Sequence, residues 1–172
     1  MEFLNDELDI TRLPKAEDLV LTSVDKRYFN VILFQKTILW LFVVAGVIVA
    51  ISFYEWLQST DWIVAIIAVV VLTIFTDLRV AYLSFSNKAF AVRDHDLIYQ
   101  NGWLVKSFHV FPFNRIQHCS VDSGIFERWF GLSTLKVYTA GGDDSDIAIS
   151  GLTVDQSSSL RELIIHRTNL NG

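Results

Sequence analysis

Thr37 to Tyr54 reads TILWLFVVAGVIVAISFY, an uncharged run of 18 residues that decides the fold class. A second uncharged run of 15 residues, WIVAIIAVVVLTIFT, covers Trp62 to Thr76. At 1.5 Å per residue the first run reaches roughly 27 Å, close to the ~30 Å thickness of a bilayer's hydrocarbon core, whereas the second reaches about 22 Å and needs flanking residues. The two runs predict a transmembrane hairpin over residues 37–83, with helices at about 37–56 and 61–82.

An apolar run of this length can also form a core helix or two buried strands of a soluble protein. The aromatic residues at the ends of the two runs separate these alternatives. They are Trp40, Trp56, Trp62 and Tyr82. Amphipathic rings prefer the interface between membrane and water, and the short link from Glu55 to Asp61 suits an antiparallel hairpin. The aromatic positions therefore favour the bilayer.

The lysines and arginines nearest the hairpin lie on one side of it. They are Lys26, Arg27 and Lys36 before the first run, and Arg79, Lys88 and Arg93 after the second. The link between the runs has none. The positive-inside rule then predicts that both termini are cytoplasmic and that the link faces outside. The lone thiol of Cys119 fits this prediction, because it would stay reduced in the cytoplasm.

The overall composition agrees with a membrane protein and excludes other classes. Of the 172 residues, 52% are hydrophobic and 19% are charged, and the net charge is −5. An acidic chain lacks the basic field that drives binding to phosphate backbones, so we expect no nucleic-acid partner. Membrane lipids, contacted by the hairpin, are the expected partners. A single cysteine excludes an internal disulfide framework.

After Leu83 the pattern changes to short β-rich runs separated by turn residues, which is typical of a β-sandwich or small barrel. The predicted strands are Leu83–Ser86, Ala89–Arg93, Leu97–Gln100, Trp103–Phe111, Ile116–Val121, Leu135–Thr139 and Ile147–Ile149. Asn101 and Gly102 predict a tight hairpin turn. Thr153 and Gln156 have the spacing of a capping box at the start of a helix over residues 153–168. The sequence thus predicts an α+β membrane protein in which the hairpin precedes a domain at 84–172, closed by a C-terminal helix.

Residues 1–36 are predicted to form a cytoplasmic N-terminal segment. Within it, Val24 to Phe34 has helical spacing. This stretch is either a cytosolic extension of the first membrane helix or a short helix lying in the membrane interface.

Several spaced motifs in the second half resemble a known family. They are Asn87-Lys88-Ala89-Phe90-Ala91-Val92, Asn101-Gly102, Phe113-Asn114-Arg115-Ile116-Gln117, Gly124 to Leu132 (GIFERWFGL) and Val137 to Gly142 (VYTAGG). Together with the preceding hairpin they are similar to the bacterial PH-like, membrane-flanked domain family, in particular its small YdbS-like members. Phe85-Ser86-Asn87 departs from the Leu-Thr that the family usually has near the opening of its pattern.

The resemblance implies a PH-like barrel or sandwich, no established enzymatic reaction and a location in the bacterial inner membrane. It also implies a partner, because members are often encoded beside a larger protein with several copies of the same domain. We therefore expect a membrane-anchored, non-enzymatic adaptor or oligomerisation module. The alternative is a module that senses lipid headgroups. Self-association is the alternative to a PH-like membrane partner.

A candidate docking surface combines an aromatic loop with basic residues. It consists of Arg115, Ile125, Phe126, Glu127, Arg128, Trp129 and Phe130. Exposed aromatic side chains edged by arginine are typical of interface hot spots, and so close to a membrane anchor they could instead contact lipid. The structural alternative is that the charged members form ion pairs or cap loop carbonyls, while Ile125, Trp129 and Phe130 fill the core.

Asp77 and Arg79 form a second candidate site, a polar pair at the cytoplasmic end of the second membrane helix. An interfacial location, reached by snorkelling, is the simpler interpretation, and an intramembrane polar site is the alternative. The sequence contains no motif for a cofactor or metal, and no catalytic constellation. His118 and Cys119 are adjacent in a predicted strand, so their side chains are expected on opposite faces.

Overall fold

The structure is a computed structural model that describes residues 20–139 and 146–170. Residues 1–19, 140–145 and 171–172 lie outside the described residues, and the second of these ranges includes half of the VYTAGG motif. Two long helices form a hairpin, and a two-sheet domain with a further long helix follows it.

The hairpin helices are α1 (Arg27–Phe53) and α2 (Thr60–Ser86), joined by a 3-10 turn at Glu55–Gln58. Both are long and apolar enough to cross a membrane, and the most apolar window of each has no buried residue. This exposure contradicts the alternative of a soluble core helix. The rings of Trp56 and Trp62 pack edge to face at 5.7 Å across the link.

Both helices extend further toward the domain than the sequence predicts. α1 starts at Arg27 and is continuous through Val31, so the stretch after Val24 extends the first hairpin helix and is not a separate helix. The strand predicted at Leu83–Ser86 is wrong, because these residues form the last turn of α2. Leu83 and Phe85 alternate with serines, which is typical of a strand. The same pattern also occurs at the end of a helix that packs on one side. The rings of Phe29 and Phe85 meet there at 5.5 Å.

The domain contains two antiparallel sheets. The first has the order β1-β2-β3-β4, formed by Thr22–Ser23, Ala89–Val92, Asp96–Asn101 and Ser107–Pro112. The second has the order β5-β6-β7, formed by Ile116–Asp122, Leu132–Thr139 and Ile147–Thr153. The sheets do not close into a barrel, since no ladder joins them in the described part of the chain. The domain therefore has two sheets, and the predicted closed barrel does not form among the described residues.

The core lies between the two sheets and under the C-terminal helix α4 (Val154–Leu170). Its members are Phe90, Leu97, Tyr99, Phe111, Phe113, Ile116, Leu135, Val137, Ile149, Leu152, Leu160 and Ile164. The predicted capping box of α4 is confirmed: the backbone N–H of Gln156 donates to Thr153 Oγ1 at 3.2 Å, and that of Thr153 donates to Gln156 Oε1 at 3.0 Å.

The turn after β3 differs from the prediction. Gly102 has a positive φ of +101°, but Asn101 belongs to β3 and no non-glycine residue has positive φ in the described ranges. A two-residue hairpin turn therefore does not form. Residues 102–106 make a longer loop, closed by the pairing of Asn101 with Ser107.

Strand directions give the domain a hairpin end and a far end. The hairpin end is the one to which α1 and α2 attach, because β1 runs into α1 and β2 follows α2. Since β3 is antiparallel to β2, with Gln100 opposite Ala89, the 102–106 loop also lies at the hairpin end. The turns 93–95 and 113–115 lie at the far end.

A candidate membrane-facing surface at the hairpin end

The Gly124–Gly131 stretch forms a short helix, α3 (Ile125–Trp129), between β5 and β6. Glu127 fixes its start, because Oε2 accepts the Gly124 N–H at 2.9 Å while Oε1 accepts the Thr134 hydroxyl at 2.7 Å. Gly131 ends it with a φ of +67°, a backbone conformation that favours glycine. The two glycines therefore bound one helical turn, as the sequence predicts.

Helix α3 packs against α1 through aromatic rings. Phe34 of α1 lies 5.2 Å from Phe126 and 5.8 Å from Trp129, measured between ring centroids. Phe126 and Trp129 are themselves 5.6 Å apart, edge to face. We call these three residues the aromatic junction. Nearby, Arg27 Nη1 donates to the carbonyl of Phe130 at 3.3 Å, so α3 is held against the first turns of α1.

The outer side of α3 is apolar and exposed. Ile125 is 68% exposed and Trp129 is 66% exposed. The expectation that these two side chains fill the core is therefore wrong, because α3 stands outside the sheets and only Phe126, Glu127 and Phe130 are partly covered. Arg128 Nη2 donates to the Ser123 carbonyl at 3.5 Å, whereas Glu127 accepts from the Gly124 N–H and the Thr134 hydroxyl and caps no loop carbonyl.

Arg115 does not join this surface. It ends the turn Phe113–Arg115 at the far end, and β5 separates it from α3. Seven strand residues span about 23 Å. The predicted docking surface therefore divides into Arg115 at one end of the domain and residues 125–130 at the other.

The 102–106 loop carries a second exposed apolar group that the sequence interpretation missed. Trp103 is 46% exposed, Leu104 78% and Val105 70%. The sequence predicts a strand over Trp103–Phe111, and the alternation of a strand would bury some of these residues. One sequence feature indicates this exposed group: three apolar residues directly follow the Asn-Gly pair, where loop residues are usually polar.

Asp77 of the candidate polar pair contacts α1. Its carboxylate accepts a hydrogen bond from Lys36 Nζ at 2.6 Å and another from Trp40 Nε1 at 3.0 Å. Residues two apart on a helix face different directions, so Asp77 and Arg79 cannot pair. The side chain of Arg79 is exposed and makes no polar contact within the described residues. We call Lys36, Trp40 and Asp77 the interhelical clamp, since it joins α1 to α2.

His118 and Cys119 of β5 lie apart from α3 and the hairpin end. His118 stacks on Tyr138 with ring centroids 4.1 Å apart. Burial raises the pKa of the Cys119 thiol, so the sulfur is protonated at neutral pH. Across the described ranges, no group of three potential metal-ligating side chains is found.

Comparison with known proteins gives one match. The family model described as bacterial PH domain matches residues 10–168, which includes both hairpin helices and the two-sheet domain. The order of two apolar helices followed by this domain agrees with the small YdbS-like architecture. No curated protein and no solved structure matches significantly. Because the family model covers most of the 172 residues, the chain belongs to the bacterial PH domain family.

Proposed function

We propose that this chain is a non-enzymatic adaptor of the bacterial cytoplasmic membrane. In this proposal α1 and α2 cross the bilayer, both termini are cytoplasmic, and the PH-like domain presents a binding surface to another membrane protein. The apolar exposed helices and the lysines and arginines on one side of the hairpin support this orientation. The expected partner is a larger membrane protein with several PH-like domains.

The observation that supports the proposal is the attachment of the domain to the hairpin at two points. β1 directly precedes α1, and β2 directly follows α2. The two strands pair, with Thr22 opposite Phe90 and Ser23 opposite Ala89. The Asp25 N–H also donates to the Gly151 carbonyl of β7 at 2.8 Å. A domain attached at two points of its fold keeps a fixed orientation to the membrane. Such orientation suits binding of a partner that lies in the same membrane.

The edge strand β4 is the surface best placed for that partner. It is the outer strand of the first sheet and leaves one side without a strand neighbour in the described chain. Edge strands offer backbone N–H and C=O groups to a strand of another protein. Val110, in the middle of β4, is 44% exposed and would contact such a strand.

The test is affinity purification of the tagged full-length chain in mild detergent, followed by native mass determination and identification of bound proteins. A stable complex with another PH-like membrane protein is expected. Val110→Lys should abolish it, because a charge on an edge strand opposes strand pairing. Val92→Lys is the comparison variant, since Val92 is similarly exposed but lies in β2, away from the β4 edge. A homo-oligomer would instead indicate self-association, and a folded chain that elutes alone would contradict the adaptor proposal.

Recognition of lipid headgroups is the second candidate, and the geometry gives it less support. The 93–95 turn, where a PH-type phosphate site is expected, lies at the far end from the hairpin. Its basic residue Arg93 is occupied by Asp96, with Nε 2.6 Å from Oδ1, and Asp94 pairs with Arg167. A turn with these carboxylates does not attract phosphate.

A further inference from the structure

Two exposed apolar groups share the hairpin end of the domain. One is Trp103, Leu104 and Val105 in the 102–106 loop, and the other is Ile125 and Trp129 on α3. We call these five residues the underside. Their side chains lie on the same end as the attachments of both hairpin helices, which is the end that faces the bilayer if the hairpin spans it.

The depth of α3 follows from counting along α1. About 20 helical residues cross the ~30 Å hydrocarbon core. Counting 20 residues back from Phe53, next to the Trp56 and Trp62 pair at the outer boundary, reaches Phe34. The aromatic junction fixes Trp129 against Phe34 with ring centroids 5.8 Å apart. Trp129 therefore lies at the inner boundary of the hydrocarbon core, where tryptophan is enriched in membrane proteins.

The charges around the underside agree with a lipid surface. Arg128 and Lys106 are exposed beside the two apolar groups. Two of the nearby acids are engaged, since Glu127 accepts hydrogen bonds from the Gly124 N–H and the Thr134 hydroxyl, and Asp122 pairs with Lys136 at 2.8 Å. Exposed cations next to apolar side chains are the combination that favours anionic headgroups over an apolar protein groove.

We propose that the underside enters the headgroup region of the cytoplasmic leaflet, so that the domain lies on the membrane. The occupant is the bilayer, because α3 continues the exposed apolar surface of α1 through the aromatic junction. This inference rests on the proposed membrane insertion of the hairpin. It assigns the apolar part of the predicted docking surface to lipid and leaves β4 for protein.

The test uses site-directed spin labels on the full-length chain in vesicles of phosphatidylcholine and phosphatidylglycerol. With Cys119→Ala as background, single labels are placed through Ile125→Cys, Leu104→Cys, Asp94→Cys and Leu72→Cys. The last two are references: Asp94 has an 85% exposed side chain at the far end, and Leu72 is 63% exposed in the middle of α2. Collision with oxygen reports lipid exposure, and collision with a water-soluble nickel complex reports water exposure.

We expect the oxygen-to-nickel collision ratio at residues 125 and 104 to lie several-fold above that at residue 94 and below that at residue 72. Equal ratios at 125, 104 and 94 would overturn the inference, as would shielding of 125 and 104 from both reagents, which would indicate protein contact. A water-like ratio at residue 72 would instead overturn the membrane insertion of the hairpin. The two failures are therefore distinguishable.

Discussion

The ring of Tyr28 occupies the space that a side chain at Gly151 would need. A Cβ built on Gly151 would lie 2.7 Å from Tyr28 Cγ, and Gly151 also has a φ of +82°. This contact joins the first turn of α1 to β7, so glycine is required there for both its backbone conformation and its lack of a side chain.

Replacement of Gly151 by alanine should loosen the attachment of the hairpin to the domain. The positive φ costs roughly 1–2 kcal/mol in a residue with a Cβ, and the clash adds about 1–3 kcal/mol. Gly131→Ala is the matched control, since its φ is +67° but its Cβ would meet nothing closer than Arg27 Nη1 at 3.8 Å. Thermal unfolding in detergent should show a clearly larger loss for Gly151→Ala. Equal losses would mean that Tyr28 moves aside without cost.

The interhelical clamp should show energetic coupling between its two charges. Asp77→Leu or Lys36→Met alone leaves one charge without its partner. The double variant should therefore lose less stability than the sum of the losses in the two single variants. We expect a coupling of about 1–2 kcal/mol, in the range of interhelical and charged hydrogen bonds. Unfolding in mixed micelles measures it. Arg79→Gln serves as a control with an expected change below about 0.5 kcal/mol, and additive single variants would contradict the clamp.

A fully buried hydroxyl pair should tie α4 to the second sheet. Ser157 and Ser133 are both 0% exposed, and their Oγ atoms are 2.7 Å apart. Ser157→Ala should destabilise the fold by about 1–2 kcal/mol, because the Ser133 hydroxyl loses its side-chain partner. Hydrogen exchange of α4 amides should accelerate. The double alanine variant should cost less than the sum of the two single variants; a strictly additive result would show that the hydroxyls act independently.

Tyr99 should make the fold sensitive to alkaline pH. Burial raises the pKa of its phenol to about 12. A folded pKa above the unfolded value of about 10 gives stability that is present below pH 10 and is lost as pH rises toward 12. Between pH 9 and 11 the wild type should therefore lose about 1.4 kcal/mol more than Tyr99→Phe. Denaturant unfolding at the two pH values measures this difference. Parallel losses in both proteins would show that Tyr99 does not cause the alkaline transition.

Much of the element order follows from the sequence because the local signals are strong. The charge-free runs predict both hairpin helices, and the spacing of Thr153 and Gln156 predicts the start of α4. Glycines bound α3 at both ends. Each of these features depends on residues within one element, so tertiary contacts have little influence on it.

The errors arise where tertiary contacts decide. Leu83–Ser86 has strand-like composition, yet it continues α2 because Phe85 packs on Phe29 of α1. Asp77 pairs with Lys36, which is 41 residues away, and no local spacing signals this partner. The separation of Arg115 from α3 depends on the direction of β5. The exposure of the 102–106 loop depends on the longer connection after Asn101.

The pairing of β1 with β2 has a consequence for biogenesis. These strands precede and follow the hairpin in the chain, so they meet only when the residues before α1 and those after α2 are in the same compartment. If only one helix crossed the bilayer, β1 and β2 would lie on opposite sides of it and could not pair. If the link stayed on the cytoplasmic side, both strands would remain on one side. If the hairpin spans a membrane as proposed, the first sheet can therefore form only when the number of membrane crossings is even.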